Sequence, residues 1–181
     1  TANPSTTTTY TVTATSGSCT ATDQIDVTVN ALPAAPTITA SGPVEFCAGG
    51  SVDLTSSEAA GNLWSTAETD QAVTVAATGS YTVEFTDGNG CKATSAATVV
   101  TVNALPAAPT ITASGPVEFC DGGSVDLTSS QATDNLWSTT ETTQAITVTA
   151  TGSYTVEFTD GNGCKATSAA TVVTVNALPA A

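Results

Sequence analysis

The sequence contains no histidine, no methionine and no arginine, and its only basic side chains are Lys92 and Lys165. Each absence excludes a class of function. Nucleic acids are bound by Lys and Arg displacing counterions from phosphates, and a chain of 181 residues with a formal net charge of −14 has almost nothing to offer them. The same balance excludes attachment to an anionic membrane surface. Without histidine, the commonest general base and the commonest imidazole ligand are both missing. Serines abound but none has a base to activate it, so no reaction class can be assembled and the chain reads as a non-enzyme. No apolar stretch approaches the ~18 residues needed to span a bilayer. What is abundant is threonine, with 39 copies, and serine, with 17, while aromatic residues are 5% and charged residues 10%. That composition suits strand surfaces with hydroxyls facing water and predicts an all-β chain.

A tandem repeat organises the sequence. ALPAAPTITASGPVEFC begins at Ala31 and again at Ala104, which sets the period at 73 residues. Residues 31–103 and 104–176 differ at eight positions, seven of them between residues 58 and 76. A stretch free to vary is either solvated loop or a surface tuned to a ligand. Residues 1–30 align with the back half of a more diverged copy if two single-residue deletions are allowed, and residues 177–181 repeat the linker that opens a copy. The expected organisation is therefore a half module at 1–30, complete modules at 31–103 and 104–176, and a linker at 177–181, read as a window on a longer array.

Within a copy, period-2 alternation marks the strands. SYTVEFT at 80–86 sets Tyr81, Val83 and Phe85 on one face and Thr82, Glu84 and Thr86 on the other. SVDLT at 51–55 and QAVTV at 71–75 alternate likewise, and TIT at 37–39, VEF at 44–46, NLW at 62–64 and ATSAATVVTV at 93–102 complete about seven strands. DGNG at 87–90 supplies a tight hairpin, because Gly and Asn accept positive φ. Seven strands with one apolar face each predict two antiparallel sheets packed face to face, an immunoglobulin-like β-sandwich of tandem modules.

A module this small buries proportionally little surface, so a covalent tie is expected. Cys47 and Cys91 are 44 residues apart, as are Cys120 and Cys164. The expectation is one disulfide per module, Cys47 to Cys91 and Cys120 to Cys164, each contributing roughly 4 kcal/mol on the chain-entropy account. Cys19 matches the second cysteine of the half module and is left unpaired. Metal ligation would want CxxC-type spacing or histidine, and neither occurs. Cystines place the chain in an oxidising, extracytoplasmic compartment.

Other residues carry competing readings. Trp64 and Trp137, in NLWST, read as core packed near the disulfide, with an exposed sugar-stacking platform as the alternative. Tyr81 and Tyr154 read as inward-packing rings whose hydroxyls bond nearby backbone. Asp87 and Asn89 resemble the opening of a calcium loop, but the further ligands are missing and a hairpin is the simpler reading. No cofactor is expected; calcium held between modules by Glu68, Asp70 or Glu141 is the alternative. Lys92 and Lys165 invite the idea of an internal Lys–Asn crosslink, against the plainer reading of exposed lysines at a strand start. The linker VNALPAAPTI, with two prolines, favours extended geometry, so each module should advance the array by roughly 40 to 50 Å. Each complete copy carries seven carboxylates and one lysine, a balance that keeps neighbours apart and the array extended.

The string FCxGGSVDLTSS, followed by NLWST and GSYTVEFTDGNGCKATSAATVVTVN, resembles the immunoglobulin-like repeats of very large cell-surface adhesins of Bacteroidetes, gliding-motility adhesins among them. The resemblance covers both complete copies, and GSYTVEFTDGNGC is its most specific part. It implies type IX secretion and display on the cell surface as a filament or stalk. The expected function is a structural repeat that projects a distal tip and bears load. The alternative is a carbohydrate- or surface-binding module using Trp64, Trp137 and the variable stretch 58–76. Expected partners are neighbouring modules of the same chain, identical chains in a filament, and surface glycans.

Overall fold

The alternating residues form strands throughout, and among the described residues there is no helix. The computed structural model describes residues 1–180; Ala181, the last residue of the linker at 177–181, lies outside the described residues. Contacts divide the chain into two compact units. One holds Thr1–Pro43, Val52–Val75 and Gly79–Val100; the other holds Val44–Ser51, Ala76–Thr78 and the chain from Thr101 onward.

The second unit contains the whole second copy: β12 (Ile111–Ala113), β13 (Glu118–Cys120), β14 (Val125–Ser129), β15 (Asn135–Trp137), β16 (Ala145–Val148), β17 (Gly152–Tyr154), β18 (Val156–Thr159), β19 (Lys165–Thr167) and β20 (Thr171–Asn176). One antiparallel sheet runs β12-β14-β16 and the other strands run β15-β18-β19 and β13-β20-β17. β13 lies parallel to β20, with Cys120 opposite Asn176. Val125, Leu127, Trp137, Ile146, Val148, Tyr154, Val156 and Val173, drawn from all three ladders, share one core. Ile111, Ala113, Val117 and Phe119 pack against it. At about 1.5 to 3 kcal/mol per buried apolar side chain, this shared core is the main stabilising term. Sheets that enclose one core, a parallel pairing of an early edge strand with the last strand, and a hairpin between the final two define an immunoglobulin-like β-sandwich.

The first copy reproduces the pattern with β3 (Ile38–Ala40), β4 (Glu45–Cys47), β5 (Val52–Ser56), β6 (Asn62–Trp64), β7 (Ala72–Val75), β8 (Gly79–Tyr81), β9 (Val83–Thr86), β10 (Lys92–Thr94) and β11 (Thr98–Asn103). Val52, Leu54, Trp64, Val73, Val75, Tyr81, Val83 and Val100 are buried, the same eight positions 73 residues earlier. The short strands expected at 37–39 and 44–46 begin one residue later than the alternation suggested, at Ile38 and Glu45.

Nine segments per copy, where about seven strands are expected, come from two interrupted strands. Glu84 faces Thr94, yet Tyr81 faces Thr98. Three steps on one strand thus match four on its neighbour, which defines a β-bulge with the extra residue on the last strand. Buried Ser95 fills the gap: its N–H donates to Val83 O (2.9 Å) and its Oγ accepts the Val83 N–H (3.1 Å). Ser168 repeats this against Val156 at the same distances. The diverged half copy forms only a hairpin, β1 (Thr8–Ser16) with β2 (Cys19–Val27), paired without interruption from Thr8–Val27 to Ser16–Cys19. Its two deletions fall where the ladder explains them. One shortens the turn to Gly17 and Ser18, and the other removes the bulge, so Tyr10 faces Ile25 as Tyr81 faces Thr98.

Candidate functional site

The feature that departs from an ordinary sandwich is a cystine joining the two copies. Cys47 is bonded to Cys164, with a Cα–Cα distance of 5.6 Å, comfortably inside the range of unstrained disulfides. Cys19, Cys91 and Cys120 are free. The expected pairs, Cys47 with Cys91 and Cys120 with Cys164, are therefore corrected. The second copy gives the reason. Cys120 ends β13 beside Asn176, the last residue of β20, whereas Cys164 immediately precedes β19 at the opposite end of the same interrupted strand. At about 3.3 Å per residue, the run from Cys164 to Asn176 separates the two sulfurs by several times what a disulfide can bridge.

Each half of the cystine has a built seat. On one side, parallel pairing sets Glu45–Cys47 against Thr101–Asn103. The Ala48 N–H donates to Asn103 O at 2.8 Å, the Gly50 N–H to Cys47 O at 3.0 Å, and Asn103 Nδ2 to Glu45 Oε1 at 3.1 Å. The other half is the end of the DGNG hairpin. Asp160 Oδ1 accepts the N–H groups of Asn162 (2.9 Å) and Cys164 (2.8 Å), the Gly163 N–H donates to Asp160 O at 3.0 Å, and Gly163 supplies the positive φ of 79°. Fixing both seats before the sulfurs meet lowers the conformational cost of closure. The Cys164 side chain is fully buried.

The remaining singled-out residues are placed as follows. Trp64 is 2% exposed and Trp137 1%, and each indole Nε1 donates to a backbone carbonyl at 2.9 Å, that of Asp70 and of Thr143. The core reading of the tryptophans holds, and a sugar-stacking platform is overturned, because a ring with no exposed face cannot stack a ligand. Tyr154 packs inward and its hydroxyl donates to Ala150 O at 2.9 Å. Asp87 Oδ1 accepts the N–H groups of Asn89 and Cys91, so the DGNG carboxylate closes the turn. Glu68, Asp70 and Glu141 are exposed, and no group of three metal-ligating side chains occurs among the described residues. The Thr139 side chain, with Glu141's own backbone N–H, holds the Glu141 carboxyl below its ordinary value. Lys92 Nζ pairs with Glu84 at 2.6 Å and Lys165 Nζ with Glu157 at 2.7 Å, in the solvated geometry of surface ion pairs, each lysine at the start of its strand.

The class of protein is thus an all-β, immunoglobulin-like tandem repeat carrying a cystine between its copies. No family model matches the chain, and no curated protein matches it. Among solved structures it is similar to a chain from the complex of a mouse coronavirus receptor-binding domain with its murine receptor. There the identity is 14%, 77% of this chain and 99% of that chain are covered, and the TM-score is 0.40. It is also similar to the human OSCAR ligand-binding domain, at 13% identity, covering 79% of this chain and 100% of that one, with a TM-score of 0.34. Likeness of this degree carries no argument; the fold class rests on the register and shared core above.

Proposed function

We propose that the chain is a load-bearing segment of an extracellular stalk or filament, displayed on a cell surface and holding a distal element away from it. The observation that carries this reading is the cystine between copies. A pull applied to the two ends runs from residue 1 to Cys47, crosses the sulfurs to Cys164 and leaves by the last strand. Residues 48–163, which hold most of the core strands of both copies, then lie off the covalent load path. A disulfide needs an oxidising compartment, which supports an extracytoplasmic location. The resemblance of GSYTVEFTDGNGC and its flanks to Bacteroidetes adhesin repeats supports the same setting and export by the type IX route. The glycan-binding alternative loses its tryptophans, and its remaining surface is the exposed part of residues 58–76.

Single-molecule stretching between the two termini tests the reading. The oxidised chain should fail to release the segment between Cys47 and Cys164, and addition of reductant should release about 400 Å of further contour for the separation of 117 residues. Equal extension with and without reductant would remove the basis for a load-bearing role.

A further inference from the structure

We infer that the cystine between copies is a repeating device: the first cysteine of each copy is a socket for the second cysteine of the copy that follows it in the same chain, so that Cys120 is the next socket in a staggered ladder. This rests on the repeat organisation and not on the stalk role.

The first argument is internal comparison. Cys120 occupies the position of Cys47, and every element that seats Cys47 is rebuilt around it. The parallel pairing is repeated, with Glu118–Cys120 against Thr174–Asn176. The Asp121 N–H donates to Asn176 O at 2.8 Å, the Gly123 N–H to Cys120 O at 3.0 Å, and Asn176 Nδ2 to Glu118 Oε1 at 2.9 Å. The plug is duplicated as well. Cys91 ends a hairpin in which Asp87 Oδ1 accepts the Asn89 and Cys91 N–H groups at 2.9 and 2.8 Å, matching the distances around Asp160. Only the engaged members differ in exposure: Cys164 is fully buried and Cys91 half-buried, while Cys47 is half-buried and Cys120 exposed.

The second argument is that the stagger accounts for every free thiol. Cys120 is a socket whose plug belongs to the next copy. Cys91 and Cys19 are plugs whose sockets belong to the copies before theirs. The pentapeptide ALPAA at 177–181 matches the linker at 104–108 that leads from Asn103 into the second copy, so the connection that brings Cys164 to Cys47 is available after Asn176. Closing each rung removes two protons and two electrons from two thiols, and a low-molecular-weight disulfide such as oxidised glutathione accepts them, becoming two thiols.

The ladder has a mechanical consequence that a bond inside each module would lack. Successive rungs overlap, so any section of the array is crossed by two covalent paths. On either path, only the 29 residues from a second cysteine to the next first cysteine, as from Cys91 to Cys120, are free to extend between rungs.

The test is the full chain extended after Ala181 by residues 109–176, which completes one further copy, refolded in a glutathione buffer and its thiols counted in denaturant. Three free thiols are expected, those of Cys19, Cys91 and the added copy's first cysteine. Cys120→Ser in the extended chain should raise the count to four. Cys120 is exposed and unbonded in the 181-residue chain, so this change leaves the existing fold intact. A fall to two free thiols on Cys120→Ser would mean that the added copy bonds its own pair, and five in the unsubstituted chain that no rung forms beyond Cys47–Cys164. Either result overturns the ladder, as would disulfide-linked oligomers on a non-reducing gel. A failed ladder would leave the stretching behaviour of the Cys47–Cys164 segment untouched, so the two proposals fail separately.

Discussion

Residues 31–103 and 104–176 are nearly the same sequence, and the way they differ teaches more than the way they agree. At three of the eight differing positions, the bond that both copies keep is made to a backbone carbonyl. The Trp64 indole bonds the carbonyl of Asp70, and the Trp137 indole bonds that of Thr143, at the same 2.9 Å. Asn62 Nδ2 donates to Glu58 O at 2.8 Å, and Asn135 Nδ2 to Gln131 O at 2.9 Å. A bond that any residue's carbonyl can accept leaves the side chain free to change. Gly61 and Asp134 show the limit of that freedom. Both have positive φ, 76° and 58°, and a Cβ on Gly61 would lie 2.6 Å from Thr86 O. The second copy accommodates its Cβ by opening the contact: the Thr86 N–H to Gly61 O bond is 2.9 Å, and the Thr159 N–H to Asp134 O bond is 3.2 Å.

The sharpest asymmetry between the copies is covalent, and it gives the largest expected effect. Cys47→Ser should destabilise the chain by about 4 to 5 kcal/mol on the chain-entropy account for so long a loop, while Cys120→Ser at the equivalent position should change the unfolding midpoint negligibly. Parallel denaturant titrations of the two variants check this.

The cores, by contrast, should respond alike. Trp64→Ala and Trp137→Ala should each cost about 3 to 5 kcal/mol, by loss of burial, cavity formation and an orphaned carbonyl. Chemical denaturation followed by circular dichroism would report the cost in each variant, and a cost confined to one copy would break the equivalence.

Exchanging the residues at the strained turn should show a smaller and opposite pair of effects. Gly61→Asp should destabilise by about 1 kcal/mol, and Asp134→Gly should be neutral to stabilising by about 0.5 kcal/mol, since the gain in native geometry is offset by a freer unfolded chain. Differential scanning calorimetry resolves shifts of that size.

The smallest effect concerns Glu141. Its folded carboxyl titrates below the ordinary value, so its contribution is present at and above the unfolded pKa and fades as pH falls through the folded one. Thr139→Val should raise the Glu141 midpoint in an NMR titration; an unchanged midpoint would assign the depression to the backbone N–H.

Much of this was legible in the sequence because alternation and repetition are local signals. Val52 and Leu54, or Tyr81 and Val83, announce the buried face by spacing alone, and Gly90 and Gly163 mark the hairpin ends by the φ they must adopt. The interruption of the long strand was not legible, because Ser95 reads as one more polar residue until the two registers are compared. Its trace is the single residue that the half copy lacks. The burial of Trp64 was readable as the simpler of two alternatives, since a lone tryptophan in a small sandwich has a core to fill.

The cystine is where the sequence reached its limit. A repeat of 73 residues makes the partner 44 residues away and the partner 117 residues away equally periodic, so spacing alone gives no preference between them. By itself the chain determined an all-β tandem sandwich, its core positions, its turns and its need for cysteine crosslinks. Only the tertiary structure decided which thiols meet. The parallel pairing of β4 with β11 carries the first cysteine to the linker end of a copy, and the hairpin holds the second at the other end, so the bond must cross to the neighbouring copy.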